Sequence, residues 1–151
     1  MPVCVVLSMR WLPGLLVLLL LAACGQSGAG GSVAIGGPDP SVQRRLLQAA
    51  DRAAGANNGR AERVEAVAST RSKANMLLSG ATGMSDEDVW VVQVQGTFVC
   101  DVCSRPRGAA APTGHFITMV LRQSDFETTD SGIGPNKSDL SKLGAVTVLR
   151  G

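Results

Sequence analysis

The chain has few aromatic residues and little excess charge. It holds no tyrosine, two tryptophans and three phenylalanines among 151 residues. This scarcity argues against sites that stack nucleic-acid bases or sugar rings on aromatic side chains. Fourteen basic residues oppose twelve acidic ones, which gives a net charge of +2. Because such a chain lacks the strongly basic surface that binds phosphate backbones, we expect no nucleic-acid partner.

Histidine is equally scarce, and common catalytic motifs are missing. His115 is the only histidine, so one chain cannot build a metal site on two histidines. We expect His115 to be a hydrogen-bonded structural residue at the start of a strand. The sequence contains no Gly-x-Ser-x-Gly turn, no P-loop and no Gly-x-Gly-x-x-Gly motif after a strand. We therefore predict no catalytic residue, no cofactor and no metal, in a protein that is not an enzyme.

The longest apolar run is short for a membrane-spanning helix and is typical of an export signal. The run Leu15–Leu21 follows Arg10 and leads into Leu21-Ala22-Ala23-Cys24. A basic residue, an apolar run and small residues before a cleavage point indicate a signal peptide. The order of these residues resembles the lipobox of bacterial lipoproteins. The resemblance implies that residues 1–23 are removed and that Cys24, now the first residue, carries a diacylglyceryl group.

Two segments follow the predicted cleavage point. Residues 24–38 contain the acylated cysteine and a run rich in glycine and serine, which is typical of a flexible tether. Residues 39–151 carry the apolar periodicity of one folded domain. Acyl chains on Cys24 would anchor the protein without a spanning helix. The expected location is the extracytoplasmic side of the cell membrane, with the lipid bilayer as a partner.

The domain alternates between helical and strand periodicity. Helices are predicted at 41–54 and 73–78, strands at 62–70, 89–99, 115–121, 126–129 and 145–149, a loop at 131–136 and a helical turn at 139–143. Ser69 or Thr70 is expected to cap the second helix. This order predicts an α+β fold, a small antiparallel sheet with two helices packed on one face. Arginines on the first helix are interpreted as part of a solvated face: Arg44, Arg45 and Arg52.

The elements between about residues 60 and 130 follow an order found in other secreted proteins. A helix ends in Leu77-Leu78-Ser79-Gly80, the strand Val89–Val94 follows, and a strand, turn and strand occupy 117–128. This pattern resembles a PepSY-type module. The resemblance implies a helix paired with a small antiparallel sheet and a role in peptidase inhibition or regulation. The long insertion Cys100–Pro112 departs from the family, and a cystatin-like fold has the same order of elements.

Cys100 and Cys103 are the two thiols that remain once Cys24 is acylated and the leader is removed. In an exported protein such a pair most simply forms a disulfide. Alpha carbons three residues apart in an extended chain are about 10 Å from each other, so a disulfide requires a turn between the cysteines. Two alternatives remain. The pair could exchange disulfides, helped by Arg105 and Arg107, or bind a metal together with His115.

These observations favour a membrane-anchored binding or regulatory module over an enzyme. The expected partner is a protein of the cell envelope. The expected contact surface is the loop after Phe98, in which the cysteine pair fixes the loop and Arg105 and Arg107 are exposed. The alternative is a small thiol–disulfide or metal-handling envelope protein that uses Cys100 and Cys103.

Overall fold

The computed structural model describes residues 37–83 and 85–151. The predicted signal peptide, Cys24 and most of the predicted tether lie outside these residues. The elements in chain order are α1 (Pro40–Ala56), β1 (Arg63–Thr70), α2 (Arg71–Ser79), β2 (Asp88–Val99), β3 (Thr113–Arg122), β4 (Thr128–Gly134), a 3-10 turn (Leu140–Lys142) and β5 (Thr147–Arg150). Within the described ranges, neither α-helix combines the length and the hydrophobicity that crossing a bilayer requires.

The five strands form one antiparallel sheet in the order β4-β3-β2-β1-β5. The central strand β2 pairs with β1 from Asp88 to Gln95. Its pairing with β3 shifts register between Gln95 and Phe98, and this irregularity precedes the long loop to β3. The α+β class and the antiparallel sheet predicted from the sequence are confirmed.

Local sequence explains where both helices begin and where the second one ends. At the start of α1, Asp39 accepts a hydrogen bond from the backbone N–H of Ser41 at 2.8 Å, and Pro40 occupies the first position, which needs no N–H. Thr70, rather than Ser69, caps α2 by accepting from the backbone N–H of Lys73 at 3.5 Å. Gly80 ends α2 in the left-handed conformation, with φ 68°, which favours glycine.

The first face of the sheet packs against α1. The buried helix residues are Leu46, Ala49, Ala50 and Ala54, and the buried strand residues beneath them are Val64, Ala66, Val92, Val94, Phe98, Ile117, Met119 and Leu121. Their spacing of three or four positions on α1 and of two positions on each strand places them on facing surfaces. This cluster is the larger of the two apolar cores in the described chain.

The prediction that both helices pack on one face is wrong. Ala74 of α2 and Leu140 of the 3-10 turn belong to a second core on the opposite face. The strand residues of that core are Val67, Val89, Val91 and Val120. The uninterrupted apolar run Val89–Val92 places valines on both sides of β2, so both faces need cover. Since α2 begins directly after β1, the chain can cover the second face there.

The predicted loop at 131–136 is also partly wrong. Residues 131–134 belong to β4 and pair with β3, with Ser131 opposite Met119 and Gly134 opposite Phe116. Glycine and serine have low strand propensity, but pairing with a preformed neighbouring strand outweighs that preference. The turn predicted between the two strands of 117–128 is confirmed at residues 123–125, shortly before this edge strand.

Candidate functional site: a cleft between a helix and an edge strand

A cleft of about 420 Å³ lies on the first face of the sheet, between α1 and β4. Helix α1 packs over β1, β2 and β5. Arg150 of β5 holds it there by donating two hydrogen bonds to the carboxylate of Asp51, at 2.6 and 3.0 Å. Because α1 is displaced toward the β5 side, the same face of β4 is left partly uncovered, whereas Ile117 and Met119 of β3 are buried.

Small side chains on both walls create the space. Ala49, Ala53 and Ala56 line the cleft from α1 and recur at the spacing of one helix face. The β4 wall contains Ser131 and Gly132. The floor is apolar and consists of Ile117, Met119 and Ile133. The arrangement suits an apolar ligand group because the floor offers few polar partners.

Helix α1 also contacts the turn before β4. The Arg45 guanidinium lies 4.5 Å from the centre of the Phe126 ring. Phe126 adopts a left-handed backbone conformation, with φ 65°, which is rare for a bulky residue. The turn holds it there because Phe126 N–H donates to the Arg122 carbonyl and Glu127 N–H donates to Asp125, both at 2.9 Å. This strained turn directs the Phe126 ring toward the helix.

The loop 100–112, named here the disulfide loop, bounds one end of the cleft. Cys100 and Cys103 form a disulfide with their alpha carbons 5.4 Å apart, and the chain turns at Asp101-Val102, as the spacing argument required. Cys100 is buried, whereas Cys103 is half-buried and lines the cleft together with Pro112. The small ring contributes about 2 kcal/mol by restricting the unfolded chain, which is enough to fix a loop.

The end of α1 fastens the base of the disulfide loop. The Asn57 carbonyl accepts from Val99 N–H at 2.8 Å, and Asn58 Nδ2 donates to Asp101 Oδ2 at 2.9 Å. Asn58 has a left-handed backbone, with φ 51°, a conformation that asparagine tolerates better than most residues. None of the predictions from the sequence gave Asn57 or Asn58 a role in holding this loop. The high frequency of asparagine in such turns was the available signal.

The arginines named in the sequence predictions differ in whether they line the cleft. Arg105 and Arg107 are exposed on the disulfide loop but do not line the cleft. Arg52, which was assigned to a solvated face, lines it from α1. None of the three forms an ion pair with a carboxylate of the described residues. The cleft is therefore an apolar site with an available cation at its rim.

His115 lies exposed near the start of β3, as its expected position required, but its side chain makes no hydrogen bond within the described residues, so the prediction of a hydrogen-bonded structural histidine is wrong. In residues 37–83 and 85–151, no three side chains of histidine, cysteine, aspartate and glutamate are grouped so that they could hold a metal ion. Cys100 and Cys103 are joined in a disulfide and are followed by a loop and then β3, rather than by a helix whose N-terminus could stabilise a thiolate.

The second face carries a buried carboxylate, which sequence reasoning missed. The Glu65 side chain is 9% exposed and contacts Arg63 Nε at 2.8 Å and Lys137 Nζ at 2.7 Å. Burial raises the pKa of the Glu65 carboxyl, but the hydrogen bonds from Lys137 and Arg63 outweigh it, and the pKa is below its usual range. Lys137 follows β4, so this pair ties the segment after β4 to β1.

Glu65→Gln is expected to lower the free energy of unfolding by about 1.5 kcal/mol near neutral pH, because it removes a charge that accepts two charge-assisted hydrogen bonds. A lowered pKa in the folded state stabilises the protein above the pKa of the unfolded state, and this contribution disappears as pH falls through the folded-state value. The difference between wild type and variant should therefore be smaller at about pH 3 than at neutral pH, because pH 3 lies below the ordinary glutamate pKa. Urea denaturation of wild type and variant at neutral pH and at about pH 3 measures this difference in the free energy of unfolding.

Glu62→Gln is the matched control for this prediction. Glu62 is exposed and forms no ion pair within the described part of the chain. We expect it to change the free energy of unfolding by less than about 0.5 kcal/mol at either pH. Equal effects of the two substitutions, or a Glu65→Gln effect that is undiminished in acid, would contradict the assignment.

Comparisons of the chain with protein-family models, with curated protein sequences and with solved structures find no match. The fold and the site define the molecule at the level of class, an α+β domain with an antiparallel five-stranded sheet and a cleft beside one edge. The resemblances to a lipobox and to a PepSY-type module stay predictions from the sequence.

Proposed function

We propose that this protein is a membrane-anchored lipoprotein on the extracytoplasmic side of the cell membrane and acts as a non-enzymatic binding or regulatory module. Support for the anchor comes from the order of Arg10, the apolar run Leu15–Leu21, the two alanines and Cys24. The partner is a protein of the envelope. It contacts the cleft between α1 and β4 and the adjoining disulfide loop.

The single observation that carries the binding proposal is the cleft itself. A volume of about 420 Å³ over an apolar floor can receive apolar side chains of a partner. One end is fixed by the disulfide loop, from which Cys103 and Pro112 line the cleft. A site fixed in this way loses little conformational entropy on binding, which favours affinity.

The anchoring part predicts acylation at one cysteine of the leader region. A bacterium that expresses the full sequence and is fed labelled palmitate should incorporate the label into the wild-type protein, and mass spectrometry should identify Cys24 as the first residue. Cys24→Ala should abolish labelling because it removes the only thiol at the predicted cleavage point. Cys4→Ala is the matched control and should label like the wild type. Label that persists in Cys24→Ala would disprove this anchor.

The binding part predicts that blocking the cleft abolishes recognition. The probe is a displayed library of random short peptides, selected on the full-chain protein purified in detergent. Selected peptides should bind wild type and lose at least about tenfold in affinity for Ala53→Trp, because the indole occupies the space that their side chains need.

Two further variants complete this test. Ser131→Trp blocks the cleft from the exposed β4 wall and serves if Ala53→Trp is unstable. Gln48→Trp adds an indole on exposed α1 surface outside the cleft and should leave affinity within about threefold of wild type. The binding proposal fails if no peptide is selected, or if selected peptides bind all three variants equally.

A further inference from the structure

β4 is an edge strand with an open outer side. It lies at one end of the sheet and, among the strands of the described residues, pairs only with β3. In an antiparallel pair, alternate residues direct their N–H and C=O groups away from the neighbour. Those groups on the outer side of β4 meet no strand of the described chain. They form a template for one more strand.

Little on β4 protects this edge. The strand runs over seven residues, Thr128–Gly134, and contains neither lysine nor proline. Its only charged side chain, Asp130, is opposite Val120 on the second face and pairs with Arg71 at 3.2 Å. The other sheet edge, β5, has four residues. Edges are commonly protected by charge, proline or shortness. Because β4 has little of this protection and β5 is short, an added strand of useful length fits at β4.

The open edge and the cleft are continuous. Thr128, Ser131 and Ile133 of β4 line the cleft, and α1 forms its opposite wall. Side chains of a strand alternate between the two faces of the sheet. A strand added to β4 would therefore direct alternate side chains into the space between the sheet and α1. Recognition by strand addition uses this combination of main-chain hydrogen bonds and alternating side-chain pockets.

We propose that the cleft binds an extended segment of the partner protein, which adds to β4 as a sixth strand, places alternate apolar side chains against half-buried Ile133, and places an acidic group beside Arg52. This inference rests on the proposed function and names the partner's conformation. The acidic group follows from charge, since Arg52 lines the cleft without a carboxylate partner in the described chain.

A second copy of this chain fits the site less well. Pairing between two β4 strands around a twofold axis keeps Thr128, Ser131 and Ile133 on the cleft side. Only one of these side chains is apolar. No acidic residue of β4 would face Arg52, because Asp130 lies on the other face. An extended segment of a different protein can supply both the apolar side chains and the acidic group.

Backbone methylation of a selected peptide tests strand addition directly. Two versions are made, each with alternate amide nitrogens methylated, one at odd and one at even positions. If the peptide pairs with β4, one version loses the main-chain hydrogen bonds and should bind at least about tenfold more weakly, while the other stays within about threefold of the parent. Amide exchange in β4 should slow on binding of the unmethylated peptide.

Charge reversal tests the role of Arg52. Arg52→Glu should lower the affinity for the parent peptide by about fivefold or more. Replacement of the peptide's acidic residue by lysine should restore binding to this variant. Arg44→Glu changes the net charge equally from an exposed α1 position outside the cleft and should have little effect.

The outcomes separate the two proposals. Peptides that lose binding on Ala53→Trp but tolerate both methylation patterns would overturn strand addition and leave the binding proposal intact. Selected peptides whose binding is unaffected by Ala53→Trp would disprove both the binding proposal and strand addition. If no peptide binds, the protein forms dimers, and Ser131→Trp abolishes these dimers, then the open edge of β4 binds a second copy of the chain. That result would overturn the proposal of a different protein as partner.

Discussion

Replacing Phe98 by alanine is expected to lower the free energy of unfolding by about 4 kcal/mol, the largest effect of any single substitution proposed for this protein. Phe98 is fully buried in the first core and is one of three phenylalanines in the chain. Removing its ring deletes apolar contacts and leaves a cavity under α1. The residue also ends the register shift between β2 and β3, two positions before Cys100.

Chemical denaturation of the full-chain protein in detergent measures this loss. Phe98→Leu retains most of the apolar volume and should lower the free energy of unfolding by about half as much as Phe98→Ala. Phe116→Ala is the matched control, because Phe116 is only half-buried and belongs to neither core. A loss for Phe98→Ala no larger than that for Phe116→Ala would show that the core does not depend on this ring.

Gly96→Ala should produce the second largest effect, a loss of about 2 to 3 kcal/mol. A Cβ atom at this position would lie 2.7 Å from Cζ of Phe98 and closer still to the carbonyl oxygen of Arg60. Backbone on one side and a buried ring on the other leave no direction in which the methyl group can be accommodated. The close approach of these chains requires glycine.

Gly55→Ala provides a matched control with the opposite sign. Gly55 lies within α1, and a Cβ atom there would meet nothing within 4 Å. Alanine favours the helix over glycine by about 0.5 to 1 kcal/mol, so this variant should be more stable than the wild type. Thermal unfolding followed by circular dichroism can compare both variants with the wild type in one series. If both variants move the midpoint in the same direction, local space around Gly96 is not the cause.

The sequence determined the features that depend on neighbouring residues. Asp39-Pro40 marks the start of α1, Thr70 the start of α2 and Gly80 its end, because caps satisfy backbone groups within a few positions. The alternation in 89–99 predicted the central strand for the same reason. The turn between Cys100 and Cys103 was predictable too, since a disulfide limits how far apart two alpha carbons can lie.

Features that depend on distant residues were decided by the tertiary structure. The strand character of Ser131-Gly132 comes from pairing with β3, and the position of α2 on the second face comes from valines of three strands that need cover. The ion pair of Glu65 with Lys137 joins residues far apart in the chain. No local pattern signals such contacts, because their stabilisation arises only when the strands are already adjacent.

The candidate site divides in the same way. Sequence reasoning identified the disulfide loop and its exposed Arg105 and Arg107, because cysteine spacing and polar composition are local properties. It did not identify the cleft, Arg52 as a lining residue or β4 as an open edge. Those depend on where α1 lies across the sheet, which the two hydrogen bonds between Asp51 and Arg150 help to fix over a separation of 99 residues. Helix placement leaves the cleft open, and only the folded chain contains that information.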